Sequence, residues 1–144
     1  MFQHILLPTD GSETAMRAVG RGLELAVKLG AQVTVMTALE HFPTGIMGSG
    51  YRPQAGKEEE PGHQIALDRL ALAEALARQA GVKFQCMLVR DKPVHRAIVE
   101  AAQTCGADLI VMGTSGMGLV ERFFIGSQTQ RVLTHTHIPV LTLH

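Results

Sequence analysis

Residues 108–128 read DLIVMGTSGMGLVERFFIGSQ. The opening DLIVM (108–112) is a continuous apolar run, the pattern of a strand covered on both faces. The remainder of the stretch carries little side chain: Gly113, Gly116, Gly118 and Gly126 alternate with Ser115, Ser127 and one apolar, aromatic segment. A strand buried on both sides belongs to a parallel sheet with helices above and below it. Glycines at the carboxyl end of such a strand let backbone approach a ligand with no Cβ in the way.

The flanking sequence repeats this alternation. Residues 2–7 and 32–38 are short strand-like segments, and between them Ala15, Ala18, Val19, Gly22, Leu25, Ala26 and Leu29 recur at helical spacing, stopped by Gly30. Residues 63–80 form an Ala/Leu stripe, broken by charges and closed by Gly81, with Glu74 and Arg78 at i,i+4. In 82–89, Val82, Phe84, Cys86 and Leu88 alternate with mixed neighbours, as in a half-covered strand. Pro93 opens a helix whose apolar series runs from Val94 to Cys105, and Gly106 ends it. Residues 127–136 read as helix and 138–143 as the last strand. Strands that alternate with helices run parallel, because each crossover helix returns the chain to the same end of the sheet. The expected fold is α/β, a three-layer, Rossmann-like doubly wound sandwich in one domain, 1–144. Residues 41–62, rich in Gly and Pro and without apolar period, read as a long mobile surface loop.

Composition narrows the function. The chain has 144 residues, 46% of them apolar, enough for a substantial single core. Thirteen basic residues balance thirteen acidic ones without any Lys/Arg block, which argues against nucleic acid as a partner. The N-terminal MFQHILLPTD has no basic leader or cleavage site, so a cytoplasmic protein without membrane anchor is expected. Cys86 and Cys105 lack C-x-x-C spacing and read as small buried hydrophobes in a reducing compartment. His135 and His137 point in different directions on a helix and no cluster joins them, so no metal site is expected.

In doubly wound sheets ligands bind beyond the carboxyl ends of the strands, where strand order reverses. Two loops at that end carry polar, glycine-rich chemistry: LLPTDGSE after the first strand and VMGTSGMG after the fourth. The second is neither a Walker A loop, since it lacks G-K-[ST], nor a dinucleotide fingerprint, since the third glycine is missing. Its spacing, Gly113, two residues, Gly116, nine residues, Gly126-Ser127, resembles the nucleotide-binding signature of the universal stress protein family. ILLPTDGSETAMRA, GADLIVMGTSG and RVLTHTHIPVLTL resemble that family too, so the similarity spans the chain outside 41–62.

The resemblance implies five parallel strands ordered 3-2-1-4-5, with ATP or a related adenine nucleotide (AMP or ADP) between the ends of strands 1 and 4. It places Pro8, Thr9 and Asp10 against the adenosine and the Ala38 backbone against adenine. It places Gly113 and Thr114 near the ribose, and Gly116, Gly126, Ser127 and Gln128 around the phosphates. Mg²⁺ would bridge phosphate oxygens with few protein ligands. A homodimer through the last strand and a role as a stress sensor or switch are implied as well. The chain departs from the family at Met117, where many members carry Arg or His; Arg122 is a candidate substitute.

Several of these residues have a second reading. Ser127 and Gln130 form S-x-x-Q, a capping box for the last helix; Asp10 and Glu13 form D-x-x-E, a cap for the first, with Ser12 as rival. The glycines are alternatively turn and packing residues around an empty cleft, which leaves a dimeric interaction module as the competing function. Apart from Asp10, no residue near the expected phosphates has the means to position water or stabilise a transferring phosphoryl group, so binding is expected rather than rapid hydrolysis.

Overall fold

The computed structural model describes residues 1–39, 62–114 and 126–144. The expected 41–62 loop lies outside them except for Gly62, as do Gly116, Met117, Arg122 and the aromatic run Phe123 to Ile125. In chain order the described elements are β1 (His4–Pro8), α1 (Glu13–Leu29), β2 (Gln32–Leu39), α2 (His63–Ala80), β3 (Phe84–Arg90), α3 (Val94–Cys105), β4 (Leu109–Gly113), α4 (Ser127–His135) and β5 (Val140–Leu143). Every strand pair is parallel and the sheet order is β3-β2-β1-β4-β5. Helices α1, α2 and α3 stop on Gly30, Gly81 and Gly106, each in the left-handed conformation, as the sequence pattern predicts.

The sheet separates two apolar layers because side chains alternate across each strand. Ile5 and Leu7 point toward α1 and α2, where they meet Val19, Leu23, Leu70 and Ala73. Leu6 points the other way, into the layer of Ile98, Ile110 and Val132 under α3 and α4. All three β1 side chains have 0% exposure, and each such burial contributes about 1.5–3 kcal/mol. Helix α1 rests directly on β1 through Gly22: a Cβ there would lie 2.3 Å from Leu7 Cδ2.

Strand β3 departs from expectation. Phe84 and Leu88 pack into the α1/α2 layer while Met87 and Val89 pack into the α3/α4 layer, so both faces are covered instead of one. Its place at the sheet edge leaves every side chain partly accessible. The same position corrects the reading of the cysteines. Cys86 is exposed and Cys105, at the end of α3, is half-buried; apolar neighbours in sequence cannot reveal that a strand lies at an edge.

At the amino ends of the strands, the Asp108 carboxylate accepts from the Gln3 and His4 amides at 2.9 and 3.0 Å. Burial alone would raise its pKa, but hydrogen bonds from the Gln3, His4 and Asp108 amides, together with the pull of His4, hold it below its ordinary 3.8. His4 is buried in the sheet, with Nε2 2.7 Å from Thr34 Oγ1 and Nδ1 3.2 Å from Gln32 Nε2. A neutral ring that accepts at Nδ1 and donates at Nε2 satisfies both contacts. Burial pushes the imidazole below its ordinary 6.5, against the opposing pull of Asp108. Among the described residues no helix is long and apolar enough to cross a membrane.

Candidate functional site

Strand order reverses between β1 and β4, and a cleft opens at their carboxyl ends. Its apolar surface comes from Met36 and Ala38 of β2, Met112 of β4, and Val94 and Ile98 of α3. Facing these are Pro8, Thr9, Asp10 and Ser12 from the β1–α1 turn, with Thr14 and Ala15 from the first turn of α1. Arg69 of α2, Gly113, and Gln128 and Thr129 of α4 complete the described lining. The cavity formed by the described residues has a volume of about 170 Å³ and opens to solvent.

The β1–α1 turn is held by its own short polar side chains. The Thr9 amide donates to Met36 O at 2.8 Å, and Thr37 Oγ1 donates to Thr9 O at 2.7 Å, which extends the β1–β2 pairing to the rim of the cleft. The Gly11 amide donates to Thr9 Oγ1 at 3.0 Å and the Ser12 amide to Asp10 Oδ1 at 2.9 Å. Gly11 takes φ +79°, a left-handed backbone that a side chain would strain. Asp10 is thereby fixed by one oxygen, while Oδ2 has no hydrogen bond among the described residues.

This geometry corrects the capping reading of Asp10. Ser12 is the N-cap of α1, its hydroxyl accepting from the Ala15 amide at 3.2 Å, and Asp10 makes a turn two residues upstream. The capping box proposed for Ser127 is absent as well: Gly126 occupies the N-cap of α4, no side chain caps it, and Ser127 is already the first helical residue. Pro93 is the N-cap of α3, and it too makes no side-chain cap. The N-terminus of α4 therefore opens beside this cleft without a side-chain cap, favourable ground for an anion. Gln128 adds a buried carboxamide oxygen with no hydrogen-bond partner among the described residues.

Of the residues expected here, Pro8, Thr9, Asp10, Ala38, Gly113 and Gln128 line the cleft. Gly126 and Ser127 start α4 immediately before Gln128 without lining it themselves. Thr114 is not brought to it: the residue is buried, its amide donates to Leu143 O at 2.8 Å, and its hydroxyl lies 3.1 Å from His144 Nδ1. Gly113 has a packing reason for being glycine, since a Cβ there would lie 2.9 Å from the Thr14 carbonyl oxygen.

The sequence model of the universal stress protein family matches residues 1–144. The chain belongs to the universal stress protein family. A universal stress protein of Thermus aquaticus is 36% identical over 141 residues, which is 98% of each chain. One from Methanocaldococcus jannaschii is 31% identical over 144 residues, 99% of this chain and 82% of its own. A universal stress protein solved in complex with cAMP has a TM-score of 0.74 at 26% identity, over 99% of this chain and 97% of that one.

In this universal stress protein the cleft also gathers residues that no motif announces. Met36, Met112, Val94 and Ile98 read in sequence as ordinary core positions, and they become lining only because their elements end at the cleft. Arg69 reads as one more charge on α2; its approach to the β1–α1 turn is a tertiary event. Ser12 and Thr14 lie beside the recognised PTD stretch, and that proximity was the only available signal for them.

Proposed function

We propose that this universal stress protein binds an adenine nucleotide, ATP or its di- or monophosphate, in the cleft between β1 and β4. Its role is that of a cytoplasmic stress-response sensor or switch. The observation that carries this reading is an apolar floor bordered by polar groups with unused capacity. Met36, Ala38, Met112, Val94 and Ile98 suit the faces of a base. The second Asp10 oxygen and the orphaned Gln128 Oε1 suit hydroxyl or amino donors of an adenosine. The uncapped start of α4, with Gly126 and Ser127, suits phosphate. In the implied scheme Gly113 would add backbone near the ribose, Gly116 lies outside the described residues, and Mg²⁺ would offset phosphate charge. The cAMP complex of the structural relative supports the same ligand class.

We further propose a homodimer formed along β5, the edge strand next to β4, whose Leu141 is exposed. No catalytic residue is assigned; binding itself is the proposed activity.

The test is direct. Purified protein is denatured and the supernatant chromatographed for adenine nucleotides; the stripped and refolded protein is then titrated with ATP, ADP and AMP, with and without Mg²⁺. A bound nucleotide or a saturable heat is expected. If nothing co-purifies, no heat appears and no nucleotide raises the melting temperature, the reading is wrong and the interaction-module alternative takes its place.

A further inference from the structure

Only two charged side chains line the described part of the cleft, Asp10 and Arg69. They carry opposite charge and share one wall, yet among the described residues no ion pair joins them. Asp10 uses one oxygen on the Ser12 amide. Arg69 has no hydrogen bond or ion pair to any described residue, although it is half-buried. Its stem is located by packing: a Cβ added to Gly11 would lie 2.8 Å from Arg69 Cγ and 3.4 Å from Nε. The missing side chain at Gly11 is thus what lets an arginine of α2 lie across the β1–α1 turn. An arginine placed by its stem at a polar cleft, with no counter-ion among the described residues, is prepared for an anion, because a guanidinium offers five donors in a fixed plane.

Resting on the nucleotide reading above, the geometry points to Arg69 as the residue that selects phosphorylated ligands over the bare nucleoside. Its guanidinium binds phosphate oxygens while Asp10, held apart from it, accepts from hydroxyl or amino groups of the same ligand. One cleft whose charges of both signs are unpaired among the described residues fits a ligand that is a donor at one end and an anion at the other.

The experiment is calorimetric titration of wild type, Arg69→Gln and Arg69→Lys with adenosine, AMP and ATP at low and high salt. Wild type is expected to prefer AMP to adenosine. Arg69→Gln should weaken AMP and ATP by at least about tenfold, the loss of one charge-assisted contact. Adenosine affinity should stay unchanged, and the salt dependence of AMP binding should flatten. Arg69→Lys should recover part of the phosphate affinity, since it restores charge without the fork. A wild-type preference for AMP that survives Arg69→Gln overturns this inference and leaves the nucleotide reading standing. Equal losses for adenosine and AMP also overturn it, since they assign Arg69 to the wall or the base. Wild type that binds none of the three ligands removes the nucleotide reading and this inference together.

Discussion

An alanine at position 113 would bring its Cβ to 2.9 Å from Thr14 O and 3.1 Å from Thr14 Cγ2. The first of these neighbours is backbone in the opening turn of α1, which has little room to give way. Gly113→Ala is therefore expected to destabilise the nucleotide-free protein by about 1–3 kcal/mol, the usual cost of overpacking, measured by urea denaturation. If Gly113 were glycine only to admit a ligand, the variant would unfold at the wild-type midpoint without nucleotide and lose binding alone. Gly11 is constrained twice, by its left-handed φ of +79° and by the stem of Arg69. The two glycines look alike in sequence and differ in cause: one admits a helix, the other an arginine.

At the level of elements, β5 has one paired edge and one open edge. Ile110 N donates to Pro139 O and Thr114 N to Leu143 O, so the alternation along a parallel strand turns the backbone of Val140 and Thr142 outward. Those outward groups are the ones a second copy would pair with. Thr142→Pro removes an outward N–H and leaves the β4 pairing intact, as proline is tolerated at edges. Wild type should sediment as a dimer and Thr142→Pro as a monomer with an unchanged circular dichroism spectrum. A variant that still sediments as the wild-type dimer would place the interface elsewhere. The starts of α3 and α4 show why helices were legible while their caps were not. Apolar periodicity marks a helix body, whereas Ser127 falls one residue inside α4 and leaves its N-terminus uncapped.

Over the whole molecule, the amino ends of the strands make stability depend on pH. The His4 pKa is lowered in the fold by burial, so below 6.5 the unfolded chain takes up a proton that the native ring resists. Stability then falls as pH drops from that value toward the native one. Asp108 behaves as carboxylates do: its lowered native pKa provides stability above 3.8 that is lost as pH falls through the native value. Acid should therefore weaken the protein in two stages, first through His4 and then through Asp108. Urea midpoints of wild type and His4→Gln, compared on the two sides of 6.5, should show a smaller drop in the variant. An identical drop would mean that His4 does not carry the first stage. These groups lie at the opposite end of the sheet from the cleft, so the acid effect should appear in stability whether or not nucleotide is bound.

The alternation of short apolar runs with 3.6-residue periodicity determined the fold class, since strands separated by helices must run parallel and a sheet covered on both faces reads as continuous hydrophobicity. The family match and the reversal of strand order then located the cleft, with Pro8, Thr9, Asp10, Ala38, Gly113 and Gln128 on its lining. Local spacing carries that much because periodicity and strand ends are properties of contiguous chain. Tertiary structure decided the rest: Cys86 exposed on an edge strand, Thr114 turned toward β5, Ser12 in place of Asp10 at the cap, and Arg69 brought across Gly11. Each depends on which distant element lies alongside, and on how closely two backbones approach. Those quantities belong to the packed molecule, where a missing Cβ acquires its meaning from the atom that occupies its place.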